Sequence, residues 1–327
     1  MKIGLLTDAF PHLSLTETLQ WCAENGLAEV ELGTGGYSSA PHADLAALNA
    51  SATAREPLLA EIGAHGLTLG ALNASGNVLH PNQEIASAHD DDLRGTITLA
   101  QSLGVSRVVA MSGCPGGPGG GGWPVFAGGA WLPDMEGLWD WQWENAIVPY
   151  WRELSAWAAS VAPDVSICLE LHPGTSIYNA ASFHKLREVT GENVMVNLDP
   201  SHFWWQAMNP MRVIDALPGV IGWSHGKDTV IHADRMSVTG SLDFSWPATS
   251  DQMAWHFAAV GAGHSTHDWA QLVGSLVRSG YDETISIEHE DPDLTPEDGV
   301  LVSLQGLRKA LELHGIRAES GASSASH

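Results

Sequence analysis

Short apolar runs alternate with amphipathic stretches along almost the whole chain, and each run ends abruptly in polar residues. Lys2–Leu6, Ala28–Leu32, Leu67–Asn73 and Arg107–Met111 predict strands, as do Val165–His172, Val194–Asp199, Val220–His225 and Thr284–Glu288. Between them lie helical patterns. Ser14 to Glu17 fits a capping box ahead of a helix that carries Leu19, Trp21 and Cys22. Further helices are expected around Glu56–His65, Ile85–Leu103, 145–161, Ser182–Val189, Met211–Leu217 and Trp269–Ser279. Thr295-Pro296 supplies a cap and a first-turn proline to the last helix, which ends near Gly315.

Eight strand–helix units without a composition break predict a (β/α)8 TIM barrel, one domain over 1–315, in preference to a doubly wound sheet. The turn after the first strand reads Thr7-Asp8-Ala9-Phe10-Pro11, which is not the glycine-rich phosphate turn of a doubly wound nucleotide binder. Residues 316–327 are rich in Ser, Ala and Gly, and a disordered tail is expected there. Two connections are far longer than the usual few residues. One follows strand four, from Ser112 to about Trp143, and the other follows strand seven, from Gly226 to His267. The first holds the glycine-rich run Pro115-Gly-Gly-Pro-Gly-Gly-Gly-Gly122 and Trp123, Trp131, Trp139, Trp141 and Trp143; the second holds Trp246 and Trp255. Loops that follow strands lie on the C-terminal face of such a barrel, so these tryptophans suit a lid or a partner contact more than decoration.

Composition narrows the function classes. Asp and Glu outnumber Lys and Arg by 38 to 14, for a formal net charge of −24, and so acidic a chain repels nucleic acid. No apolar run reaches the roughly 18 residues of a membrane helix, and nothing like a signal peptide precedes Lys2. The scattered Cys22, Cys114 and Cys168 suit a reducing cytoplasm, where the chain is expected, and offer no paired zinc spacing.

The chemistry gathers at strand ends. Val194 to His202 reads as a buried strand that stops in Asp199 and Pro200 and then turns back with His202. Taken alone, Asp199 could equally cap the following helix. Strand five ends in Glu170 and His172, whose two-residue spacing points both side chains the same way. Strand seven ends in His225 with Lys227 and Asp228 behind it, and strand eight in Glu288 with Glu290 beyond. Glu170, Asp199, His225 and Glu288 are three carboxylates and one imidazole. That set suits a six-coordinate Mn²⁺ first, with Mg²⁺ or Co²⁺ as alternatives, and not a closed structural zinc. The plain alternatives are a hydrogen-bonded core histidine for His172 and an ion pair with Asp228 for Lys227.

With these residues in place the sequence resembles the xylose isomerase-like barrels, a group of sugar isomerases, ketose 3-epimerases, inosose dehydratases and endonuclease IV. The resemblance implies that Glu170, Asp199, His225 and Glu288 bind one divalent ion and that His202 contacts substrate. It also implies that Glu170 and Glu288 move protons on opposite faces of a bound ketose. Strands three and four end at Leu72-Asn73 and Met111-Ser112, without the extra histidines of endonuclease IV, which argues against DNA repair. A narrower resemblance rests on Ser112-Gly-Cys-Pro-Gly, the Trp139-Asp-Trp-Gln-Trp-Glu144 run and Pro149-Tyr-Trp151. These look like the catalytic subunits of C-glycoside deglycosidases, which implies an oligomer with a small β-rich partner subunit and a 3-keto-glycoside substrate.

The expected reaction is enolisation of a keto-sugar or keto-glycoside. Glu170, Glu288 or His172 takes the proton, Lys227 steadies the enolate, and His202 and Trp143 contact the sugar. Removal of the C2 proton from a 3-keto-glycoside with expulsion of the aglycone is one outcome. Isomerisation or 3-epimerisation without cleavage is another. A sugar-binding barrel without catalysis is the reading from a different class.

Overall fold

The computed structural model describes residues 1–128, 132–243 and 249–319. Among the described residues ten strands run in chain order: β1 (Lys2–Leu6), β2 (Glu29–Gly33), β3 (Thr68–Asn73), β4 (Arg107–Met111), β5 (Ser166–Glu170), β6 (Val194–Leu198), β7 (Ile221–Gly226), β8 (Asp228–Ile231), β9 (Trp255–Ala258) and β10 (Thr284–Ile287). Eight of them close into a parallel barrel in the order β1-β10-β7-β6-β5-β4-β3-β2, the (β/α)8 architecture read from the alternation of runs. β8 and β9 form a separate antiparallel pair that the sequence reading did not anticipate. No helix among the described residues is long and apolar enough to cross a membrane.

The chain divides into two compact units. One comprises Met1–Glu31, Glu61–Thr68 and Leu198–His327, the other Leu32–Ala60 and Leu69–Asn197. In the first, β10 pairs with β1 (Ile3↔Ile285) and with β7 (Ser286↔His225). Its first helix, Leu15–Glu24, starts in the expected Ser14/Glu17 capping box. Ser265 and Asp268 make a second box for the helix Thr266–Arg278, whose Trp269, Leu272, Val273 and Leu276 form a buried stripe at helical spacing. Thr295 caps Pro296–Leu313, which buries Val300, Leu304, Leu307 and Leu311 in the same way. Each such leucine contributes about 1.5–3 kcal/mol through the apolar surface it removes from water.

The second unit holds most of β3, all of β4 and β5 and most of β6, with registers Met111↔Glu170 and Glu170↔Asn197. The helix expected at 145–161 begins earlier. Leu138–Gln142 leads through a π-helical turn, Trp143–Ile147, into Val148–Val161. Pro149 sits in the first turn after the π segment, where its missing N–H is tolerated. Trp151 fills the space beneath and donates its indole N–H to the Ser112 carbonyl at 3.0 Å.

Trp131 and Trp246 lie outside the described residues, as does 320–327 of the expected tail; Glu319, within it, forms a parallel bridge with Lys2.

The excursion after β7 is pinned by one carboxylate. Asp228, fully buried, accepts from the backbone N–H groups of Thr229 (2.7 Å), Gly261 (2.9 Å) and His264 (3.0 Å). It also takes the Trp269 indole N–H at 2.9 Å and meets His264 Nδ1 at 2.7 Å. Gly263 belongs to this turn because a Cβ there would lie 2.1 Å from the Thr229 carbonyl oxygen. The sequence alternative that Asp228 partners Lys227 is thereby replaced. Asp228→Ala strands several buried donors and is expected to cost about 3–5 kcal/mol, with Asp228→Asn milder, in chemical denaturation followed by circular dichroism.

Candidate metal centre

Asp199 follows β6 directly, is 1 % exposed, and divides its two oxygens between two tasks. Oδ1 accepts the Ser201 N–H at 2.9 Å, at the first residue of the short helix Ser201–Trp204. Oδ2 receives no well-angled hydrogen bond, yet Lys227 Nζ stands 3.2 Å and His202 Nε2 3.3 Å away, at ion-pair range. The hydrogen bond to the helix and the ion-pair contacts of Asp199 therefore fall on different atoms of one side chain.

His225 ends the apolar run of β7 and is held by a residue that sequence reasoning missed. Its Nε2 lies 3.2 Å from both carboxylate oxygens of Glu31, and Trp223 donates to Glu31 Oε2 at 2.8 Å. All three side chains are buried. A carboxylate behind Nε2 would hold a proton there and leave Nδ1 as the metal-capable atom once a cation takes its place beside Glu288. Nδ1 faces Glu288 Oε2 at 3.0 Å. The Glu29-Val30-Glu31 alternation had carried a usable signal, two acids on one face of a barrel strand. Glu29 answers to the other end, where Lys2, Thr68 and Thr284 hold it.

Lys227, 2 % exposed, is the cationic hub of this unit. Its Nζ donates to Glu288 Oε2 at 2.7 Å and Glu290 Oε2 at 2.8 Å, and lies 4.5 Å from the centre of the Phe257 ring. The same ring meets His202 edge-on at 5.3 Å. Around one lysine and one histidine thus stand Glu31, Asp199, Glu288 and Glu290, a surplus of acidic oxygen.

In the other unit, Glu170 closes β5 at 3 % exposure and accepts the Asn197 side-chain N–H at 3.1 Å. The chain then turns. His172 N–H donates to the Glu170 carbonyl at 2.9 Å, and His172 Nδ1 meets the Pro173 carbonyl at 2.6 Å, which assigns its proton to Nδ1. Trp143 is 2 % exposed, with Lys185 Nζ 4.3 Å from its ring centre and Trp139 5.7 Å away.

Within the first unit, Asp199, His225 and Glu288 offer metal-ligating atoms within 4.8 Å of one another, and within the second Glu170 and His172 do. Asp199, His225 and Glu288 are three of the foursome nominated from the strand ends; Glu170, the fourth, belongs to the other unit. Two hard carboxylates, an imidazole with a carboxylate behind it and a buried Asp199 oxygen lacking a hydrogen bond fit a divalent cation. The other histidines of the excursion do different work. His232 pairs with His256 at 3.0 Å, and His264 stacks on Trp204 at 3.9 Å while bound to Asp228.

Residues 19–310 match the family described as xylose isomerase-like TIM barrel. The uncharacterized protein YfiH of Bacillus subtilis strain 168 is 33% identical over 314 residues, covering 95% of this chain and 99% of that one. Among solved structures, the IolI protein with a bound zinc atom superposes with a TM-score of 0.65 at 17% identity, over 96% of this chain and 99% of that one. The 3-keto-D-glucoside 4-epimerase YcjR of E. coli does so at 0.64 and 16% identity, over 94% and 99%. At such identities the structures testify to the fold alone, whereas the sequence match spans most of the chain. This chain belongs to the xylose isomerase-like TIM barrel family.

Proposed function

We propose that the protein is a divalent-metal-dependent enolising enzyme acting on a keto-sugar or keto-glycoside. The ion, Mn²⁺ first, would be held by Glu170, Asp199, His225 and Glu288. The observation that carries this reading is the acid-rich cluster around Lys227 and His225, in which Asp199 Oδ2 is ion-paired but accepts no hydrogen bond. Similarity in fold to a zinc-bound protein and to a 3-keto-glucoside epimerase supports the metal and the substrate class.

When bound, the ion polarises the substrate carbonyl and acidifies the neighbouring C–H bond. The rest falls to side chains. A carboxylate of Glu170 or Glu288, or His172, takes the proton from that carbon, and the C–H electron pair becomes the new C=C bond. The carbonyl π pair moves to oxygen, where the Lys227 ammonium steadies the charge. His202 and Trp143 are assigned to sugar hydroxyls and the sugar face. Delivery of a proton to the opposite face of the same carbon by the second glutamate gives epimerisation; delivery to the former carbonyl carbon, with the neighbouring hydroxyl passing its proton to the former carbonyl oxygen and becoming the new carbonyl, gives isomerisation. On a 3-keto-glycoside, collapse of the C2 carbanion equivalent instead breaks the bond from C1 to the aglycone. The bonding pair then leaves with the aglycone, which takes up a proton. The keto-glycoside outcome is favoured by the aromatic residues Trp205, Trp255 and Phe257 grouped beside Lys227.

Three outcomes are expected. Purified protein carries about one divalent ion per chain; EDTA abolishes deuterium uptake from D₂O next to the carbonyl of a 3-keto-glycoside, and Mn²⁺ restores it. Absence of bound metal together with indifference to EDTA would favour the non-catalytic barrel, and aglycone release alongside exchange would separate the lyase from the epimerase. Glu31→Gln, folded by circular dichroism, should weaken metal affinity about 10–100-fold in a metal titration, because His225 loses the carboxylate behind it. Lys227→Met should lower kcat about 10²-fold or more without lowering metal occupancy, which separates charge stabilisation from a role in holding the ion.

A further inference from the structure

The helix Thr266–Arg278 has two sides of opposite character. Trp269, Leu272, Val273 and Leu276 face the core. At 3.6 residues per turn, the other side carries His267, Gln271, Gly274 and Arg278. The helices Pro210–Asp215 and Pro296–Leu313 both pack against this one, and among the three lies an open groove of about 500 Å³. Its lining includes Arg212, His267, Gln271, Ser275, Arg278 and His314. The groove lies wholly within the first unit, and it shares no lining residue with the proposed metal centre.

Charge sets this groove apart. The chain carries 38 Asp and Glu against 14 Lys and Arg, yet among the described residues two arginines and two histidines line the groove and no carboxylate does. Asp215, Asp268 and Glu312 belong to the same three helices but stay out of the lining. Asp268 is engaged by the Ser265 N–H and hydroxyl. Arg212 is exposed, and among the described residues its guanidinium has no ion-pair partner. Arg278 Nη2 donates to Ser275 Oγ at 2.7 Å, which holds that guanidinium along the wall. Gly274 makes room for it. A Cβ there would lie 2.7 Å from His314 Cε1 and 3.3 Å from Arg278 Nη1, so an imidazole and a guanidinium lean over one spot. Glycine in mid-helix weakens a helix relative to alanine, and here it allows two cation-forming groups to converge without a carboxylate between them.

We infer that this groove is a binding site for a phosphate dianion, free or as the head of a phosphate monoester, separate from the metal centre. Guanidinium groups grip phosphate oxygens through paired N–H donors, and imidazoles add donors from other directions. Arg212, Arg278 and His314 come from three different helices or their ends. Donors spread in this way suit the tetrahedral oxygens of phosphate more than the flat edge of a carboxylate. The volume falls among small-molecule clefts, roughly 300–1,000 Å³, so an ester has room for its organic part beside Met211, Ala270 and Leu313. A net charge of −24 offers anions no general attraction, so anion binding at this place is a local property of the groove. The bound dianion bridges the three helices and stabilises the folded chain by mass action.

The test titrates the full-length chain with inorganic phosphate, followed by phosphorus NMR line broadening and by thermal unfolding. Saturable binding in the millimolar range or tighter is expected, with a rise in Tm. Arg212→Gln and Arg278→Gln should each weaken it about tenfold or more. Gln271→Glu, at an exposed position, sets a carboxylate into the groove and should abolish binding while the fold, read by circular dichroism, is kept. Lys227→Met should leave phosphate affinity unchanged, which separates the groove from the metal centre. Acetate, with half the charge, should displace phosphate only at about tenfold higher concentration or more. Tighter binding of glycerol 3-phosphate than of inorganic phosphate assigns the site to an ester, and equal binding assigns it to the free ion; both uphold the groove. Absence of saturable phosphate binding, displacement by acetate at equal concentration, or full affinity in folded Gln271→Glu overturns the assignment.

Discussion

Burying acids away from water is the constraint that shapes this molecule. Glu31, Asp199 and Glu288 stand within reach of Lys227 or His225, and Glu31 and Asp199 are almost wholly enclosed. Taking a carboxylate out of water costs several kcal/mol unless cations or hydrogen bonds meet its oxygens. One lysine and one histidine meet part of that demand, an indole and a backbone N–H group add to it, and Asp199 Oδ2 is left without a hydrogen bond. Much of the architecture around β7 can be read as scaffolding for those partners. Trp223 braces Glu31, Phe257 lies over Lys227, and Asp228 locks the chain immediately after that lysine.

The same constraint explains which parts of the site were legible in the sequence. Glu170, Asp199, His225 and Glu288 stand out because each interrupts an apolar run at its last residue, and a barrel collects such residues at one face. Glu31 did not stand out. The Glu-Val-Glu pattern of β2 looks like an ordinary half-solvated strand, and only a closed barrel, which buries both faces, turns its acids inward. Trp223 was invisible for a similar reason, since a tryptophan in an apolar run reads as packing until a carboxylate is found at its indole N–H.

Asp228 shows a second limit. From its position it reads as the natural partner of adjacent Lys227, but its real partners come from Gly261, His264 and Trp269, more than thirty residues later. Lys227 sits in the link between β7 and β8 while Asp228 opens β8, and the two side chains meet different partners. Local spacing could not find contacts closed across so long an excursion. The β8–β9 pair stayed hidden for the same reason, because its two short strands are separated by a long connection instead of a tight turn with its own signature. Helix ends were better marked. Ser14/Glu17 and Thr295-Pro296 appear where their capping chemistry put them, because a cap is local.

Fastening both ends of the β7 excursion to one carboxylate has an evolutionary corollary. The backbone leaves at Thr229 and returns at Gly261 and His264, and Asp228 grips both points. Whatever lies between is anchored independently of its own length or composition. Relatives could exchange that cassette wholesale, and with it the wall presented to a substituent, while the lysine next door and the acids around it keep their positions. Recognition and reactivity would then diversify on separate schedules within one barrel.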